Sequence, residues 1–63
     1  MTNYLVITQY GEFGDAFVKF ETEDLEEAKS KARMFALSDK KDAHTFITLK
    51  DEWEDGNYDE IEF

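Results

Sequence analysis

The sequence predicts an α+β fold: one small domain, β-β-α-β-β, an antiparallel sheet with one helix packed on one face. Two β-rich runs flank a glycine-bearing loop near the start. A single stretch has helical periodicity with a capping signature. Two further extended runs follow it.

The first run, Tyr4-Leu5-Val6-Ile7-Thr8-Gln9-Tyr10, is rich in β-forming residues and stops at Gly11, so it reads as a strand. Gly11-Glu12-Phe13-Gly14-Asp15 carries two glycines able to take φ > 0, as a short hairpin loop requires. Ala16-Phe17-Val18-Lys19-Phe20 returns antiparallel, with Ala16, Val18 and Phe20 expected on one face.

The helix begins at Asp24, three residues before Glu27 in a capping-box spacing, with Thr22 as the alternative cap. Glu23, Asp24, Glu26 and Glu27 sit by the positive end of the helix dipole. Lys29, Lys31 and Arg33 lie further along, and Lys40 and Lys41 lie past the end. Leu25, Ala28, Ala32, Phe35 and Ala36 form one stripe that should lie on the sheet, its alanines allowing close approach. Met34 and Leu37 fall on the other side. They are either ordinary exposed apolar residues or a homodimer interface, which would help a core this small.

After the polar turn Ser38-Asp39-Lys40-Lys41-Asp42, His44 to Lys50 reads as a third strand. The remainder contains an Asp55-Gly56 turn signal between two apolar-bearing arms. A fourth strand, Tyr58 to Phe63, would put Ile61 and Phe63 inward and Glu60 and Glu62 outward. Residues 1–63 thus form a single acidic domain.

Composition excludes several functions. With no cysteine there is no disulfide framework and no thiolate metal site. No apolar run approaches the roughly 18–20 residues that span a bilayer, and no signal peptide opens the sequence. A net charge of −9 repels phosphates and anionic lipid, so direct nucleic-acid binding and membrane association are not expected. The aromatic content, 16%, separates the chain from a disordered acidic tail.

Catalysis finds few candidate groups. His44 is the single histidine, at the start of a strand, and the serines, Ser30 and Ser38, belong to the helix and its end. The many carboxylates are solvated, with no environment that would drive two pKa values apart. The expectation is no enzyme and no cofactor. One metal pattern is worth weighing. With Gly56 as the invariant glycine of an EF-hand loop, Asp51, Asp55, Asn57, Asp59 and Glu62 fall at ligand positions. Trp53 takes a ligand position without an oxygen, and flanking helices are missing from the pattern, so no metal site is assigned.

Charge segregation is the remaining signal. Residues 1–50 hold nine acids and seven bases, a balance of −2; residues 51–63 hold seven acids and no base, −7. Outward residues two apart on a strand are about 6.5–7 Å from each other. That is comparable to the spacing of phosphates along one nucleic-acid strand. A hairpin bearing Glu52, Glu54, Glu60 and Glu62 would present a phosphate-like array to a basic protein, recruited by long-range attraction. Trp53 and Tyr58 would either anchor that interface or finish the core. The expected partner-binding set is Asp51, Glu52, Trp53, Glu54, Asp55, Tyr58, Asp59, Glu60 and Glu62.

A short, cysteine-free, strongly acidic chain ending in Asp51-Glu52-Trp53-Glu54-Asp55-Gly56-Asn57-Tyr58-Asp59-Glu60-Ile61-Glu62-Phe63 resembles the small bacteriophage host-takeover proteins of the DNA-mimic type. Within that group it is similar to phage inhibitors of the nucleoid-associated protein HU. The likeness lies in size and charge along the whole chain. It implies a homodimer in the bacterial host cytoplasm whose acidic face occupies the DNA-binding surface of a basic host protein. Lys29, Lys31, Arg33, Lys40 and Lys41 depart from a uniformly acidic mimic and make the mimicry one-sided. The alternative expectation is an adaptor or inhibitor that binds a host enzyme, such as RNA polymerase or a protease, through a sheet edge or the Met34/Leu37 patch.

Overall fold

In the computed structural model, which describes residues 2–11, 14–38 and 43–63, the first run forms strand β1, Tyr4–Tyr10. It is the central strand. β2 (Ala16–Thr22) and β3 (Ala43–Leu49) pair with it on either side, both antiparallel. That position explains why Leu5, Val6, Ile7 and Thr8 are all buried: both faces of β1 are covered.

The β1–β2 connection uses its glycines differently. Gly11 takes φ +76°, as the loop reading requires. At Gly14 the need is space, because a Cβ would lie 1.4 Å from the Tyr10 carbonyl oxygen. Glu12 and Phe13, like Asp39-Lys40-Lys41-Asp42 of the expected polar turn, lie outside the described residues.

β2 corrects one expectation. Val6 faces Phe20 but Ile7 faces Val18, so Lys19 is an extra residue in the ladder. A bulge of this kind reverses the alternation beyond it. Phe20 therefore packs on the helix-covered face, whereas Ala16 packs with Leu5, Ile7 and Phe46 on the other.

Helix α1, Leu25–Ser38, lies on the first of those faces. Asp24, Thr22 and Glu27 all take part at its start, but not as the reciprocal Asp24/Glu27 capping box expected, because Thr22 takes the Asp24 N–H and meets Glu27. Glu26 N–H donates to Asp24 Oδ1 (3.0 Å), Asp24 N–H donates to Thr22 Oγ1 (3.1 Å), and the Thr22 hydroxyl donates to Glu27 Oε1 (2.6 Å). Ala28 and Ala32 are fully buried against Val6 and Ile47, with Phe35, Phe20, Tyr4 and Ile61 around them. Ala36, expected in the same stripe, is exposed. Each step of four residues rotates about 40° round a helix, which carries Ala36 to the rim. No basic residue occupies the last turn; instead the Ser38 hydroxyl donates to the Met34 and Phe35 carbonyls.

The C-terminal part departs most from expectation. Lys50–Asp55 is a short helix, α2, and not the arm of a hairpin. Gly56 does take a positive φ, +84°, but as the left-handed cap of that helix. Its N–H donates to Trp53 O and Asn57 N–H donates to Glu52 O, the paired bonds of a Schellman ending. Asp51 and Glu52 in the first turn suit the dipole. The expected fourth strand is reduced to one bridge, Ile61 with Ile47, in which Ile61 N–H donates to Ile47 O at 2.7 Å. Ile61 does point inward. Phe63 is exposed and does not.

Candidate functional site: the acidic C-terminal face

Within residues 51–63, Trp53 and Tyr58 lie on the face of the sheet opposite α1, whereas Ile61 bridges the edge of β3 and packs on the α1 side. The hold of Trp53 and Tyr58 on their face comes from aromatic packing. Trp53 and Tyr58 sit 4.8 Å apart between ring centroids. The Tyr58 ring lies nearly parallel to that of buried Phe46 at 5.7 Å, and Trp53 is tilted against Phe46 at 6.2 Å. His44 stacks on Phe46 at 5.5 Å, extending the row. Trp53 packs against the cluster of Leu5, Ile7 and Phe46, and Tyr58 keeps about a third of its surface in solvent.

Around this anchor the carboxylates face outward. Asp51, Glu54, Asp55, Asp59, Glu60 and Glu62 are exposed; Glu52 is half-buried. The hairpin geometry expected for Glu52, Glu54, Glu60 and Glu62 is corrected. Glu52 and Glu54 are two apart on a helix, so they diverge around the Trp53 anchor and do not repeat along a strand. Asp51 and Asp55, four apart, share the outer helix face. Glu60 and Glu62 sit on the extended run either side of Ile61. The array is therefore two patches, one helical and one extended, joined through Gly56 and the Trp53–Tyr58 contact.

One side-chain contact ties the segment to the balanced part of the chain, and a second fixes Lys50, the residue that leads into it. His44 Nε2 lies 2.8 Å from Glu60 Oε1, on the surface. Lys50 Nζ donates to Glu21 Oε2 at 3.2 Å, and the Asn3 amide donates to the same oxygen at 2.5 Å. The Asn3 and Lys50 hydrogen bonds hold the Glu21 carboxyl below its ordinary value, and the same pairing raises the Lys50 ammonium. Sequence reasoning gave Lys50 and Phe46 no role beyond the third strand. Phe46 had a signal, as the bulkiest residue of that strand; nothing local indicates that Glu21 returns to Lys50.

The EF-hand spacing is not realised as a loop, since Asp51 to Asp55 are helical and Gly56 ends the helix. Among the described residues no three of His, Asp or Glu are gathered as a metal would require. No helix among them is long and apolar enough to cross a membrane. Met34 and Leu37 lie on α1 away from the acidic face, Met34 half exposed and Leu37 90% exposed. Compared with protein-family models, curated proteins and solved structures, the chain matches none of them.

Proposed function

We propose that the protein is a non-enzymatic inhibitor that occupies the basic nucleic-acid-binding surface of another protein in place of nucleic acid. The supporting observation is that seven acids and no base lie in residues 51–63, six of them exposed around an aromatic anchor on a folded sheet. Carboxylates replace phosphates, and the partner's Lys and Arg residues cannot serve both. A basic nucleoid protein of the HU type in the bacterial cytoplasm fits this reading. Because the two acidic patches differ in geometry, the likeness to nucleic acid is in charge density more than in regular spacing. The attraction is long-ranged and screened by salt, with a Debye length of about 8–10 Å at physiological ionic strength.

The test is competition. Labelled duplex DNA bound to purified HU should be released as the protein is added, with potency falling steeply as salt rises. Asp51→Lys, Glu54→Lys and Asp55→Lys together should abolish release, since all three side chains are exposed and not needed for packing. Release that survives this reversal would sink the reading. A second reading has one observation in its favour, the exposed Leu37 beside Met34 on α1: an adaptor, or a self-association surface, that does not use the acids. Binding lost with Leu37→Asp but kept in the charge-reversed protein would select it.

A further inference from the structure

The C-terminal run touches β3 at the Ile61–Ile47 bridge and makes no further bridge at Glu62 or Phe63. Where the two part, a groove of about 340 Å³ opens, open to solvent on one side. His44, Thr45 and Phe46 of β3 line it together with Glu60, Ile61, Glu62 and Phe63; Phe46 is buried, so the ring open to solvent there is that of His44. Its volume is near the lower end of the roughly 300–1,000 Å³ typical of ligand pockets, enough for one long side chain and small for a cofactor. Its charge is two carboxylates against one imidazole. His44 meets one oxygen of Glu60. Glu62 has no hydrogen-bond or ion-pair partner among the described residues.

We propose that this groove receives a single arginine side chain. The source of that arginine, the basic partner protein, rests on the function proposed above. A guanidinium is flat, carries donors in a fixed fork suited to carboxylates, and stacks on aromatic faces. The groove offers those features together: the Glu60 and Glu62 carboxylates, the exposed His44 ring, and apolar Phe63 for the methylene stem. A lysine ammonium is compact and strongly hydrated, and uses the ring less well. An anion is opposed by both carboxylates. The groove thus gives the electrostatic interface one position where shape matters as well as charge.

The experiment is an NMR titration of the isotope-labelled full chain with N-acetyl-arginine amide, N-acetyl-lysine amide and the neutral isostere N-acetyl-citrulline amide. Arginine should give saturable shifts confined to residues 44–46 and 60–63. Lysine should bind more weakly, and citrulline should give no shift. Glu62→Gln should weaken arginine binding about tenfold, the size of one lost charge-assisted hydrogen bond, while Glu23→Gln, before α1 and outside the acidic array, leaves it unchanged. Both sites are exposed, so the fold is retained. Equal arginine and lysine shifts spread over residues 51–63, or no saturable shift, would overturn the groove. The two proposals fail separately. An arginine site in a protein that releases no DNA supports the groove and removes the inhibitor reading. Full DNA release by Glu62→Gln, with no arginine shift in the parent, removes the groove alone.

Discussion

The two faces of the sheet are covered by helices of very different character. α1 has fourteen residues, a three-residue cap network at its start, and two buried alanines that bring it close to β1 and β3. α2 has six residues, and its fixed points are a left-handed glycine and one tryptophan. Isolated helices shorter than about 12–15 residues are marginal in water, so α2 owes its existence to what it packs against. The lesson concerns the acidic array. Its helical carboxylates are ordered through Trp53 and Tyr58 on Phe46, and Glu60 and Glu62 through the Ile61 bridge to Ile47, so the proposed working surface and the core are one unit.

The substitution that should separate the faces most strongly is Phe46→Ala. It removes the ring that Trp53, Tyr58 and His44 all contact. Truncations of this kind cost about 3–5 kcal/mol, against total stabilities of about 5–15 kcal/mol for ordinary domains. In a chain this small the variant approaches unfolding. Phe46→Leu is the milder companion, expected to fold while residues 50–63 lose amide protection before α1 does. Hydrogen exchange reads the difference. Uniform loss of protection across both helices would mean that the faces are not separable.

A smaller effect, of opposite sign on the two faces, comes from two threonines of β3. Thr48 is fully buried beside Leu5 on the acidic side, and its hydroxyl has no hydrogen-bond partner among the described residues. Thr45 points to the α1 side, where its hydroxyl meets that of Thr8 at 3.1 Å. An unsatisfied buried polar group costs about 1–3 kcal/mol. Thr48→Val should therefore raise stability by about 1 kcal/mol in a denaturant titration, and Thr45→Val should lower it by a similar amount. The same chemical change thus reports which face satisfies its polar groups. Thr48→Val that destabilises would contradict the packing described for the acidic side.

How far the sequence was legible follows the same division. β1, β2, α1 and β3 were readable because each has its own period, and α1 its own cap. The bulge at Lys19 was not, because nothing local marks an extra residue; it appears only in how β2 registers on β1. Asp55-Gly56 announced a positive φ correctly, yet that conformation serves both a hairpin turn and a helix end. Glu52-Trp53-Glu54-Asp55 has one apolar residue and no alternation, so distant packing settled the choice. The acidity of the site was fully legible. Its groove was not, because it depends on His44 and Phe46 meeting residues sixteen places further on.

The smallest expected effect tests the polar tie between the faces. Glu21 on β2 accepts from Asn3 and from Lys50, the first residue of α2, and its carboxyl is held below the ordinary value mainly by the Asn3 bond and then by Lys50. A carboxyl with a lowered folded-state pKa stabilises the fold above its unfolded value, 4.5, and loses that contribution as pH falls through the lower folded value. Lys50, raised above 10.5, behaves inversely: its contribution is complete below that value and disappears as pH climbs through the raised one. At neutral pH the tie is therefore fully formed. Glu21→Gln should lower the melting temperature slightly between pH 6 and 8, and the gap to the parent should close below pH 4.5. Both groups are near the surface, so added salt should narrow the gap as well. A gap that persists unchanged to pH 3 would show that the Glu21 carboxylate charge does not tie α2 to β2.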